Sequence, residues 1–436
     1  MNKNGVGPGT GRVAGELPDN KHLGTVQNND INNILHTSSG KDATPAEYRT
    51  AVEHLLDCGC DLLAQNVGMP DAVIYRTKVA TGWEKYLLEL HLETWPNEDP
   101  EQASTQVDCL VNLANAGTDP LQVTIEACRR RGVAIVASYR MNAEDLYGNT
   151  WRLSDFGRAH PEWRIPDSGA LDPAVPEVYE YRMRIFAEVA EQYDVDGIEF
   201  DFRRWCKMIS NPHENHPILT RMVREMRAML DAAARRKGRE RLILGARVGP
   251  SLNDPPGTEY PGGRLKNDVS CRELGLDVKT WVEEELVDYV CPSLFWPRLP
   301  GVPKTAEFVA LAKGKNIGIY PTVFPLPAWA KDEVSIPEMS QSEIRAMMRR
   351  HRDEICSAAL QCFSDGADGI STFNWFGHSL YSPRERRLGT ELTTYRDSLP
   401  YRKTETFVHR FLRSPQALRD CLRKDPQVTL QCEWLD

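Results

Sequence analysis

Apolar residues in this chain gather into short runs that turn polar before they end, and helical stripes separate those runs. The runs begin at His22 (HLGTVQNND), Asp61 (DLLAQNVG), Val133 (VAIVASYRMN), Val195 (VDGIEFDF), Leu242 (LILGARVGP), Val287 (VDYVCPSLFW), Ile317 (IGIYPTVFP) and Asp368 (DGISTFNWF). Each is of strand length and opens on aliphatic or β-branched residues, so the pattern predicts eight strands. The first run is the poorest in apolar residues. Between them, apolar positions recur every three to four residues. Thr44-Pro45 caps and opens a helix over Ala46 to Cys58, and Glu177 to Tyr193 carries the stripe Tyr181, Ile185, Phe186 and Val189. Leu219 to Lys237 repeats it with Met222, Met226, Met229 and Leu230, a stripe suited to core packing. Ser340 with Glu343 forms a capping box that opens a helix over Ser342 to Ser364.

Strands that alternate with helices eight times are parallel, because each crossover needs a helix. A doubly wound sheet competes, but no GxGxxG turn is present. The expected fold is therefore α/β: a (β/α)8 TIM barrel over residues 22–399. The stretch from Gly68 to Gly132 is too long for one helix and implies an insertion between strands two and three. Residues 1–21 read as a flexible N-terminal tail and 400–436 as a short helical extension.

Composition narrows the class of function. The 436 residues carry 53 basic and 62 acidic side chains, a net charge of −9, which disfavours a nucleic-acid partner. No apolar run approaches the length of a membrane span. Eleven scattered cysteines form no CxxC pair, there is no N-x-Ser/Thr sequon, and the first twenty residues lack the apolar core of a secretory signal. The expectation is a reduced, cytoplasmic protein, or a secreted one if a leader has been cleaved. Oligomeric state is not readable. No metal or other cofactor is expected: strand one lacks a His-x-His pair, and His213 and His216 read as loop histidines beside Pro212 and Pro217. No GxSxG elbow or Walker sequence appears.

In a TIM barrel, chemistry sits where the strands end. Strand four closes with Glu199-Phe200-Asp201-Phe202-Arg203-Arg204-Trp205. Alternation puts Glu199 and Asp201 on one side and Ile198, Phe200 and Phe202 on the other, so both acids aim into the barrel. Inward acids are costly unless paired or used; the plain alternative is that Glu199 only ties down an inner arginine such as Arg247. The other strand ends supply Asn28, Asn29 and Asp30, then Tyr139, Arg140 and Asn142, and further on Arg247, Ser293, Trp296, Tyr320, Asn374 and Trp375. Aromatic faces, amides and carboxylates together suit a carbohydrate, whose C–H faces stack and whose hydroxyls need polar partners. Arg140, Arg203, Arg204, Arg247 and Arg298 crowd the same rim, either as ion-pair partners or as forks for a sulfated or uronic sugar.

The runs SYRMN (138–142), HPEWR (160–164), ALDPAVPEVYEY (170–181) and YDVDGIEFDFRRW (193–205), with GLDVKTWVEEELVDYVCPS (275–293) and DGISTFNW, resemble the glycoside-hydrolase-like barrels, family-10-type glycosidases of polysaccharide-degrading bacteria. The resemblance implies a TIM barrel acting on glycosidic bonds. Strand four is also similar to the D-G-x-D-x-D-x-E motif of chitinase-type barrels, but Glu199 replaces the middle acid and Arg203 stands at the catalytic glutamate. Asp201 instead resembles the strand-four nucleophile of α-galactosidase-like and amylase-like barrels. The acid that often follows R-M-N is displaced here, with Ala143, Glu144 and Asp145 in its place.

The expected function is a glycoside hydrolase acting on a poly- or oligosaccharide substrate, neutral or anionic. Asp201, Glu199 and Asp145 are the catalytic candidates, and the strand-end residues the binding ones. A second carboxyl is needed across the scissile bond; Asp145, Asp30, Asp254 and Asp332 are the candidates. A non-catalytic glycan-binding barrel is the rival, and a lyase or isomerase with a base such as Tyr139 a third reading.

Overall fold

A computed structural model gives the architecture. It describes residues 23–30, 44–69, 71–85, 100–142, 154–166, 168–203, 207–258, 269–295, 299–327, 329, 339–375 and 399–426. Parallel strands run in the order β1 (Thr25–Asn29), β2 (Leu62–Met69), β3 (Ala134–Arg140), β4 (Gly197–Asp201), β5 (Ile243–Val248) and β6 (Tyr289–Pro292). The seventh position, β7, is split into Gly318–Ile319 and Thr322–Val323, and β8 is Ile370–Phe373. The first half of β7 pairs with β6 and the second with β8, which pairs with β1. Tyr320 N–H donates to the Val290 carbonyl at 2.9 Å, and Ser371 N–H to that of Pro321 at 3.0 Å, so the ring of eight closes. This is the TIM-barrel arrangement the alternation predicted. Even the polar first strand is buried along its whole length.

The helices start where local chemistry allows. Pro45–Leu56 opens on a complete capping box between Thr44 and Glu47, and Gln341–Ser364 on the one between Ser340 and Glu343. The insertion between β2 and β3 holds two short paired segments, Ala72–Val73 and Thr81–Gly82, and helices Pro100–Asn115 and Pro120–Arg131. One boundary differs from expectation. The helix expected from Leu219 starts at Pro212 and runs to Arg236, so His213 and His216 lie on its first turns rather than in a loop. Pro212 is the first helical residue, where no backbone donor is needed, whereas Pro217 lies inside the helix and has no N–H to donate to the His213 carbonyl. Beyond residue 399, helices Leu399–His409 and Pro415–Leu422 pack on Gln341–Ser364, and Arg413 pairs with Asp61 at 3.0 Å.

Alternation along the strands separates two apolar groups. Leu63, Val67, Ile135, Ile198, Phe200 and Leu244 join the large layer between strands and helices. Val26, Leu62, Ala64, Val136, Ile243, Tyr289, Cys291 and Tyr320 form a smaller cluster inside the ring. Two residues further along, the inward stripe turns polar: Val26 gives way to Asn28, Ala64 to Asn66, Val136 to Ser138, Gly197 to Glu199, and Cys291 to Ser293. An apolar floor thus carries a polar layer above it.

Gly245 is a fixed point of that floor, because a Cβ there would overlap the phenol ring of Tyr289. The backbone itself makes room for the ring. Gly245→Ala is expected to destabilise the fold by about 2–3 kcal/mol through overpacking, read as a lower Tm. An unchanged Tm would show that the ring can move aside.

Candidate active site

Glu199 and Asp201 both point into the barrel, as the alternation predicted, and both are fully buried. They are held by different chemistry. Glu199 accepts three neutral hydrogen bonds: from Asn28 Nδ2 at 2.5 Å, from Ser138 Oγ at 2.8 Å and from the Tyr289 hydroxyl at 2.7 Å. Asp201 accepts the Arg203 backbone N–H at 2.9 Å and Arg247 Nη1 at 2.9 Å. The inner arginine is therefore tied down by Asp201 and not by Glu199.

A charged row lies across this layer. Arg140, Asp201 and Arg247 are register partners on β3, β4 and β5. Arg247 also donates to Ser293 Oγ at 3.0 Å and lies over the Phe373 ring at 3.9 Å. Arg140 pairs with Asp30, which follows β1, and Asn374 Nδ2 donates to the same carboxylate at 2.9 Å. Arg203 is buried, with Nε on the Ser293 carbonyl at 2.6 Å and its guanidinium 5.8 Å from the Phe295 ring. Asn142 donates to the Lys207 carbonyl at 3.1 Å, and its own side-chain oxygen is buried without a partner. Asn28, Asp30, Arg140, Arg203 and Arg247 are thus gathered around the two acids, while Asn142 stands two residues beyond Arg140.

Three sequence candidates are placed elsewhere. Tyr139 sits on the outer face of β3, edge-on to Phe186 at 4.8 Å, with its hydroxyl 2.8 Å from that of Tyr75. It is one residue out of step with the inward stripe Val136, Ser138, Arg140. Tyr320 does point inward, but into the apolar floor beside Tyr289. Trp375 would follow Phe373 inward on a continuing strand, but Asn374 takes a left-handed φ of 52° and ends it. The indole is buried in the outer layer, donating to the Val323 carbonyl at 3.0 Å and lying edge-on to His409. Of the remaining candidates, Asp145, Arg204, Trp205 and Trp296 lie outside the described residues, as do Arg298 and Asp332. Asp254 pairs with Lys304 at 2.7 Å in the loop after β5.

Ser138, Tyr289 and Asn66 join this inward layer beside the expected residues, and the signal for Asn66 is the step of two from Leu62 through Ala64.

Burial is the main cause that pushes the Glu199 carboxyl from its ordinary 4.5 to about 7, with the charge of Asp201 adding to it. Hydrogen bonds from Tyr289 and Ser138 and the charge of Arg247 oppose the shift. A carboxyl raised on folding favours the protonated native state, so its stabilising contribution is complete below about pH 4.5 and is lost as pH rises through about 7. The difference amounts to about 3 kcal/mol at full ionisation. Glu199→Gln cannot ionise, so its Tm should gain on the wild type as pH rises from 5 to 8. A Tm difference independent of pH over that range would refute the assignment.

Residues 101–210 match the model of the family described as glycosyl hydrolase-like 10. Among curated proteins, the glycosyl hydrolase DigH of Escherichia coli K12 is 27% identical over 213 residues, covering 42% of this chain and 47% of that protein. The glycosyl hydrolase YngK of Bacillus subtilis is 23% identical over 213 residues, covering 41% and 39%. The matches span less than half the length of these relatives. A solved structure, the endo-1,4-β-D-mannanase of Thermotoga petrophila, aligns over 89% of this chain and 99% of its own with 12% identity and a TM-score of 0.43. The runs SYRMN, HPEWR, ALDPAVPEVYEY and YDVDGIEFDFRRW all fall within residues 101–210, and through them the chain resembles the glycosyl hydrolase-like 10 family.

Proposed function

We propose that this protein is a glycoside hydrolase that acts on a poly- or oligosaccharide at the C-terminal mouth of its barrel, with Asp201 as central carboxylate. The observation that carries this reading is the placement of Asp201: a fully buried acid at the inward end of β4, between register partners Arg140 and Arg247. The resemblance to glycosyl hydrolase-like proteins supports the same reaction class.

Hydrolysis of a glycoside needs two carboxyl groups, one to protonate the leaving oxygen and one to attack carbon or activate water. Asp201 serves as nucleophile or charge stabiliser. Glu199 is enclosed by Asn28, Ser138 and Tyr289 and acts behind it as a positioning residue. For the second carboxyl, Asp30 is the candidate that the described residues bring to the same layer: it stands two residues beyond Asn28, as Asp201 stands two beyond Glu199. Asp145 remains an alternative for that role. Arg140 and Arg247 are paired with Asp30 and Asp201, so a neutral saccharide suits this part of the mouth better than an anionic one.

One observation favours the rival reading of a glycan-binding barrel without catalysis. Each oxygen of Asp201 already accepts a hydrogen bond from the protein, so attack on a sugar requires Arg247 to share its partner.

Asp201→Asn is expected to cut glycoside hydrolysis at least a thousandfold while glycan binding survives. It also leaves Arg247 buried opposite a neutral amide, so Tm should fall, by an amount corresponding to about 3 kcal/mol. Wild-type turnover by the folded variant would remove Asp201 from the chemistry. Glycan binding by the wild type with no hydrolysis would establish the rival.

A further inference from the structure

Asn66 lies on the inward stripe of β2 behind Leu62 and Ala64, both of which belong to the interior cluster. It is 1% exposed, and among the described residues both Nδ2 and Oδ1 of its amide lack a hydrogen-bond partner. Buried side-chain amides nearly always have partners, because an unmatched donor or acceptor costs free energy. An amide with both functions unmatched is the stronger exception.

Its position ties it to the acids. Asn66 is the register partner of Ser138, Ser138 is the partner of Glu199, and Ser138 Oγ donates to that carboxylate. Directly beyond Asn66 the register slips: Asn66 pairs with Ser138 but Gly68 with Tyr139, so Val67 is an extra residue. Such a bulge bends a strand and re-aims its side chains, and bulges concentrate beside active sites. The next strand repeats the theme with the buried, unmatched Oδ1 of Asn142, two residues beyond Arg140.

We propose that Asn66 is a substrate-positioning residue, whose amide holds two adjacent ring hydroxyls of the saccharide, donating to one through Nδ2 and accepting from the other through Oδ1. A hydroxyl is both donor and acceptor, and a side-chain amide presents one of each in one plane, so a vicinal diol satisfies both functions at once. Asn142, two residues past the end of β3, supplies a further acceptor. This rests on the glycoside reading above and names what that site would recognise: a sugar with free neighbouring hydroxyls.

The test uses the full-length protein and an array of neutral and anionic oligosaccharides, followed by titration of whichever oligosaccharide binds and of its monodeoxy analogues. Asn66→Ala should bind that oligosaccharide at least tenfold more weakly with Tm unchanged or higher, since no side-chain hydrogen bond within the protein is lost and an unmatched buried amide is removed. Removing the matched hydroxyl should weaken binding to the wild type but not to Asn66→Ala, a selectivity that a merely structural residue would not produce. Equal affinity in variant and wild type overturns the inference while leaving the glycoside reading intact. So does a loss of affinity that comes with a fall in Tm and is the same for every analogue. Failure of the wild type to bind or cleave any oligosaccharide overturns the glycoside reading itself.

Discussion

The structure depends on the cost of putting charge inside a closed ring of strands. Eight parallel strands leave no edge and little room for water, so an ionic group that points inward needs partners supplied from elsewhere on the ring. Asp201 meets Arg247 from β5, and Arg140 of β3 reaches Asp30 beyond β1. These pairs fix the register of the polar layer, because slipping one strand by a single residue would turn its charges into the outer apolar layer. A buried pair of this kind is weak as a source of stability but demanding as a specifier of geometry, since breaking it strands a charge.

Below the pairs, apolar packing does the complementary job. Tyr289 fills the floor with its ring and sends its hydroxyl up to Glu199, and Gly245 makes room for it by having no side chain. The same side chain therefore belongs to the core and to the site. Glu199 is bonded to three neutral donors and to no cation, and burial beside Asp201 outweighs those bonds and pushes its carboxyl up to about 7.

Much of this was legible in the chain. Strand existence followed from apolar runs of strand length, and the inward direction of Glu199 and Asp201 from alternation with Ile198, Phe200 and Phe202. Helix starts at Thr44 and Ser340 followed from their capping residues. What composition hides is direction: it names the residues at a strand end but not the side each one faces. Tyr139 is one step out of phase, and Trp375 lies past a left-handed Asn374 that sequence does not announce. The step of two from Leu62 and Ala64 leads to Asn66, a signal in spacing and not in composition. Which acid takes which arginine could not be read at all, because it depends on the stagger between strands distant in sequence, as in the contact between Asn28 and Glu199.

The two acids of β4 are coupled, and the coupling has a direction. The negative charge of Asp201 helps to keep the proton on Glu199. If Asp201 bonds to a sugar carbon, or shares its charge with a forming cation, that repulsion falls and Glu199 becomes the stronger acid. Three hydrogen bonds from Asn28, Ser138 and Tyr289 hold Glu199 in place beside Asp201. Glu199 thus senses the charge of Asp201 through space while sharing none of its hydrogen-bond partners, so the two acids of one strand are joined by electrostatics alone.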